Sequence, residues 1–160
     1  MAIRGAGEGT HHDMRRRVLL LIALFTFSFL SLSTASAQVP VRMRVIRASN
    51  IGSSIDASLR DVHEDLGSLF SFTSYRLLRD ETLNLSINRP VSIPAHEGRI
   101  IIENTLVGLH RGVAELKIRV AREGKDILNT QIRLSPGRTV LIGGPKLREG
   151  VIIYALSARF

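Results

Sequence analysis

The chain has 160 residues, with 22 Lys and Arg against 14 Asp and Glu, a formal net charge of +8, and neither cysteine nor tryptophan. Without cysteine there is no disulfide, no thiolate metal site and no lipid-modified cysteine, so burial alone must hold the core. Aromatic residues are only 5% of the chain, which weighs against a sugar-stacking platform and against base stacking on single-stranded nucleic acid.

Residues 1–13 (MAIRGAGEGTHHD) read as a dispensable leader, with translation starting at Met1 or Met14. Gly5, Gly7 and Gly9 do not fit G-x-G-x-x-G and follow no strand, so they signal no nucleotide site. Residues 14–37 have the order of a secretory signal peptide. Arg15, Arg16 and Arg17 lead into an apolar run from Val18 to Leu32, and Ala35-Ser36-Ala37 supplies the small side chains of a cleavage site. Cleavage there makes Gln38 the mature N-terminus and leaves no stable transmembrane anchor; a retained segment would act as an anchor instead. The expected address is export, to the periplasm, the outer membrane or the medium.

Residues 38–160 are expected to form a single β-rich domain, of a size that can bury one core. They keep a net charge of +6, carried by fifteen arginines and three lysines, Lys117, Lys125 and Lys146. From Val39, Val41, Met43 and Val45 alternate with Arg42 and Arg44 as in a half-buried strand. Ser49 to Ser54 reads as a loop, and Asp56 or Ser58 as a helix N-cap, with Ser58 and Asp61 at capping-box spacing. Leu59, Val62, Leu66 and Leu69 follow at helical spacing, opposite Arg60, Asp61, Glu64 and Asp65. This predicts one amphipathic helix over about 58–70, docked through those four apolar residues.

Phe72–Leu78 and Leu83–Ile87 read as two separate strands, and Pro90 and Pro94 confine Val91–Ile93 to an edge or a loop. Arg99–Leu109 and Val113–Arg122 form two further strands, and Glu123-Gly124-Lys125-Asp126 is a hairpin turn into Ile127–Leu134. Pro136-Gly137 turns the chain into Val140–Ile142, Gly143-Gly144-Pro145 ends that strand, and Val151–Ala158, apolar on both faces, reads as a central strand. The predicted class is α+β: a mainly antiparallel, sandwich-like β arrangement of seven to nine strands with the single helix.

Motif evidence for catalysis is thin. His63, His96 and His110 lie in different elements without metal-ligand spacing, so neither metal nor cofactor is expected. Asp61, Glu64 and Asp65 cluster on one helical turn, where helix-dipole complementarity accounts for them as well as acid–base chemistry does. No G-x-S-x-G is present, which leaves a small hydrolase as the third-ranked function. Arg42, Arg44, Lys117, Arg119 and Arg133 all fall on the polar side of predicted strands. If those strands are neighbours, the five side chains make a cationic sheet face for a polyanion, an acidic glycan or an anionic lipid headgroup.

Leu128-Asn129-Thr130-Gln131-Ile132-Arg133-Leu134, Pro136-Gly137 and Arg138-Thr139-Val140-Leu141-Ile142-Gly143-Gly144-Pro145 together resemble the strand, glycine turn, strand and double glycine of bacterial outer-membrane secretins. The chain departs from that pattern at Pro145, and the likeness covers about a fifth of residues 38–160. The whole is similar to small exported bacterial proteins. The resemblance implies a link to secretion or surface assembly; with no catalytic motif and no aromatic interleaving for nucleic acid, the expected function is a non-catalytic envelope module whose partner is an envelope or secretion-system protein and not a nucleic acid. Polyanion or lipid-headgroup binding through the arginine face is the alternative.

Overall fold

The computed structural model describes residues 38–96 and 99–159. The expected leader and signal segment, residues 1–37, lie outside the described residues. Among the described residues the mainly antiparallel β class with a single short α-helix is the observed one. Eight strands form two four-stranded sheets: β1 Val39–Ser49, β2 Ser74–Leu85, β3 Pro90–His96, β4 Ile100–His110, β5 Val113–Arg122, β6 Lys125–Leu134, β7 Thr139–Leu147 and β8 Gly150–Ala158. Sheet A has the order β2-β1-β8-β7 and sheet B the meander β3-β4-β5-β6. All strand pairs within the sheets are antiparallel.

Alternation builds the core between the sheets. Val41, Met43 and Val45 of β1 and Ile152, Tyr154 and Leu156 of β8 pack with Ile102, Leu106, Leu116, Ile118 and Val120 of sheet B in one buried cluster. β8 also presents Ile153 and Ala155 to a second cluster on the outer side of sheet A, shared with Ile46, Ala48, Leu59, Val62, Leu66 and Tyr75. That explains why β8 is apolar on both faces and central, as its sequence predicts.

The helical segment covers this outer face in two pieces, a 3-10 turn over Ala57–Val62 and a helix, α1, over His63–Leu69. Asp56 is the N-cap, accepting from the Ser58 backbone N–H and hydroxyl, so the Ser58–Asp61 capping box does not form. Leu59, Val62 and Leu66 are buried as predicted, whereas Leu69 is 65% exposed. The switch from 3-10 to α winding resets the helical phase, and Phe70 packs on the cluster in its place. Tyr75 Oη shares its single proton between the Phe70 carbonyl at 2.6 Å and the Leu66 carbonyl at 3.2 Å, closing the free C-terminal end of α1.

Two boundaries differ from the sequence expectation. β2 is one strand of 12 residues, because its register against β1 shifts between Val45 and Ile46 and leaves Leu78 as an extra residue. Such a bulge flips the alternation: Tyr75 and Leu77 face the helix, while Leu83 and Leu85 face sheet B. Second, β7 continues through Gly143-Gly144-Pro145 to Leu147. A Cβ on Gly144 would stand 2.6 Å from Tyr154 Cε2 and 2.9 Å from the Ile152 carbonyl oxygen, so glycine there makes room for the neighbouring strand. Pro145 is tolerated because β7 is an edge and its register is irregular between Gly143 and Lys146. β3, which runs from Pro90 through Pro94 to His96, is an edge, one of the two placements its prolines allow.

Candidate functional site

The five basic residues singled out by the sequence divide between the two outer faces of the sandwich. Arg42 and Arg44 belong to β1 in sheet A; Lys117 and Arg119 of β5 and Arg133 of β6 belong to sheet B, so the strands are not neighbours and no shared face forms. Arg44, expected at the surface, is only 1% exposed, because the 57–69 segment lies over that side of sheet A. Its Nη1 donates to Asp61 Oδ1 at 2.7 Å. Arg42 clasps Asp80 in bidentate fashion, Nε to Oδ1 at 2.8 Å and Nη2 to Oδ2 at 2.5 Å. The hydrogen bonds hold the Asp61 and Asp80 carboxyls below the ordinary aspartate range and raise the Arg42 guanidinium.

On sheet B the charges are again matched across strands. Arg119 reaches Glu103 at 3.2 Å and Asp126 at 3.4 Å, which raises its guanidinium, the Glu103 bond contributing most. Arg133 Nε donates to Glu115 at 3.0 Å, directly opposite in the register. Of the five, Lys117 alone stands exposed with no ion pair among the described residues.

Exposed cations without a carboxylate partner among the described residues stand at both ends of the sandwich: Arg89, Arg111, Arg138 and Arg159 at one, and at the other Arg99, Lys146 and Arg148, which converge on a cleft of about 620 Å³. In an antiparallel arrangement alternate connections fall at the same end. Here those are the β3–β4, β5–β6 and β7–β8 connections, with the end of β1. Arg47, Arg99, Arg122, Lys146 and Arg148 line the cleft against Glu123 and Glu149, and Ile100 and Leu147 supply its apolar wall. Arg99, Lys146 and Arg148 are exposed, with no carboxylate partner among the described residues.

Backbone geometry ties these segments together. The β5–β6 hairpin turns on Glu123 and Gly124, both at positive φ (49° and 80°), the pattern of a type I′ turn that matches strand twist. The Glu123 N–H donates to the Arg99 carbonyl at 2.9 Å, joining two turns of sheet B. Arg122 Nη2 donates to the Lys146 carbonyl at 2.7 Å and so bridges sheet B to the β7–β8 hairpin of sheet A. Gly150, at φ +104°, carries that hairpin against the end of β1, where a Cβ would fall 1.9 Å from the Ala48 carbonyl oxygen. The approach sets Glu149 beside Arg47, Oε2 to Nη2 at 3.2 Å.

A second depression of about 430 Å³ adjoins the first and, like it, is lined by the Arg47–Glu149 ion pair. Ser49, Ser54 and Ser74 line it, with Ile51 and Ile55 exposed at its lip. The cleft cations were readable in principle: each flanks a Gly-containing turn, and counting alternate hairpins places those turns at one end. Strand alternation drew attention to the sheet faces instead. The two sheets and the cleft define a β-sandwich module with a basic loop end. No protein family, curated protein or solved structure matches this chain.

Proposed function

We propose that the chain is an exported, non-catalytic module of the bacterial cell envelope that assembles with another envelope or secretion-system component through its basic loop end. The observation that carries this reading is the convergence of Arg99, Lys146 and Arg148 on one open cleft, whereas the arginines of the sheet faces are engaged and those of the opposite end, Arg89, Arg111, Arg138 and Arg159, lie on separate connections. Arg42, Arg44, Arg119 and Arg133 each hold a carboxylate, whereas Arg99, Lys146 and Arg148 line an open cleft with no carboxylate partner among the described residues. Electrostatic complementarity sets partner choice and association rate when unpaired charge is concentrated in one patch. The signal-like order of residues 14–37 and the secretin-like hairpin of residues 128–145 support the same reading. The sheet-face form of polyanion binding receives less support, since its arginines are already engaged.

The test is cross-linking and capture from the host envelope with the full-length protein expressed at its natural level. Replacing Arg99 and Arg148 by Glu is expected to abolish capture of the partner seen with the unaltered protein, while Lys117→Glu on the sheet B face leaves it intact. Capture lost with Lys117→Glu and kept with the loop-end variant would overturn the proposal.

A further inference from the structure

We infer that the end cleft seats a phosphoryl-type polyanion, a group with two or more negative charges on clustered oxygens, and that Glu149 occupies Arg47 until such a group displaces it. The inference rests on the reading of the loop end as the recognition surface and names the chemistry recognised there.

The donor set argues for the ligand class. Four of the five cations are arginines, whose planar forks meet phosphate oxygens two at a time and stay charged at every accessible pH. Glu123 and Glu149 leave a surplus of three positive charges among the described lining residues. A lone carboxylate brings one charge and one bidentate edge, which leaves most of that surplus unanswered. A phosphomonoester carries roughly −1.5 to −2 near neutral pH and offers three acceptor oxygens, so separate chain segments can approach it from different sides. The volume, about 620 Å³, falls among small-ligand sites and exceeds a single phosphate, leaving room for the sugar or glycerol that would bear it.

The site is also preorganised. Arg122 is held by the Lys146 carbonyl, Arg99 is tied to the β5–β6 turn by the Glu123–Arg99 backbone bond, and the β7–β8 hairpin is held by the Gly150 approach to Ala48. Segments tied together in this way lose less freedom on binding than untethered ones. Glu149 is the internal competitor. Its carboxylate sits 3.2 Å from Arg47, with side chains 54% and 33% exposed, and an exposed pair of this kind is weak enough to exchange for a more highly charged anion. Because Arg47 and Glu149 line both depressions, an anion that takes Arg47 from Glu149 alters the lining of both.

Calorimetric titration of the full protein with sodium pyrophosphate at low ionic strength tests the seat. The Arg99→Gln, Arg148→Gln double variant should bind at least about tenfold more weakly, Glu149→Gln about threefold more tightly, and Lys117→Gln as the unaltered protein does. Amide shifts in the unaltered protein, followed by NMR, should centre on Arg47, Arg122 and Glu149, which keeps the test valid if a variant folds poorly. Equal affinity in the double variant, shifts centred on residues 115–133, or weaker binding by Glu149→Gln would each overturn the inference. Vesicles distinguish the source of the phosphoryl group. Sedimentation with phosphatidic-acid vesicles that pyrophosphate reverses assigns it to a lipid headgroup, and pyrophosphate binding without vesicle binding assigns it to a soluble phosphate. Equal binding to vesicles charged only by oleate would overturn the phosphoryl class. If pyrophosphate does not bind while envelope capture still depends on Arg99 and Arg148, only this inference fails; the opposite pattern removes only the assembly reading.

Discussion

The Arg44 guanidinium lies beneath the 57–69 segment with Asp61 at 2.7 Å, while the Asp61 side chain keeps 56% of its surface in water. A strand position that alternation alone assigns to solvent is therefore a covered charge, and its free energy depends on its partner. Asp61→Asn should destabilise the fold by about 2 kcal/mol, below the ~3–5 kcal/mol typical of breaking a fully buried pair, because water reaches the Asp61 side. Adding Arg44→Met to Asp61→Asn should recover most of that loss, since neither charge then remains; denaturant melts of the two variants check this. The pH dependence follows the same carboxyls. Asp61 and Asp80 are held lower in the folded protein than in the unfolded chain, where aspartate titrates near ~3.9. Their contribution is present above about pH 4 and is lost as pH falls through their lowered folded values. Acid unfolding of Asp61→Asn should accordingly show a shallower loss of stability below about pH 4.

At the scale of elements, the helical segment separates what periodicity can reveal from what it cannot. Leu59, Val62 and Leu66 lie on one stripe and dock; Leu69 continues the stripe in the sequence yet ends 65% exposed, because winding tightens over Ala57–Val62. Leu66→Ala should lower stability by about 2–5 kcal/mol, as for other large-to-small changes at full burial. Leu69→Ala should shift the thermal midpoint little. Equal losses from the two would mean that α1 docks in another rotation. The strands were readable wherever alternation runs unbroken, as in β5, where Ala114, Leu116, Ile118 and Val120 are all buried. They were not where a bulge changes the phase, as at Leu78, or where a glycine answers a side chain from another strand, as Gly144 answers Tyr154. The candidate site suffered from the same limit: strand alternation identifies faces, whereas the cleft is made by strand ends. Its cations meet only once sheet order is known.

Across the whole molecule, sheet A is the layer that the two apolar clusters share, since β1 and β8 contribute side chains to both. Shared strands make independent melting of the helix side costly: loss of the outer cluster exposes Ile46, Ala48, Ile153 and Ala155 on strands that also carry the inter-sheet core. The chain holds two tyrosines and no tryptophan, and each tyrosine reports on one cluster, Tyr75 on the helix side and Tyr154 between the sheets. Tyr75→Phe leaves emission from Tyr154 alone and removes the one proton that Tyr75 shares between the Phe70 and Leu66 carbonyls at the end of α1, so it should cost about 1 kcal/mol. Tyr154→Phe leaves emission from Tyr75. The Tyr154 hydroxyl is buried without a hydrogen-bond partner among the described residues, and burial raises its pKa, so its removal should be neutral or slightly stabilising. In each variant the tyrosine emission and the far-ultraviolet circular dichroism should pass through the same denaturant midpoint, as a single cooperative unit requires. A Tyr75 signal that melts ahead of the circular dichroism in Tyr154→Phe would show that the helix undocks first, and would place the stability of the basic end with the sandwich alone.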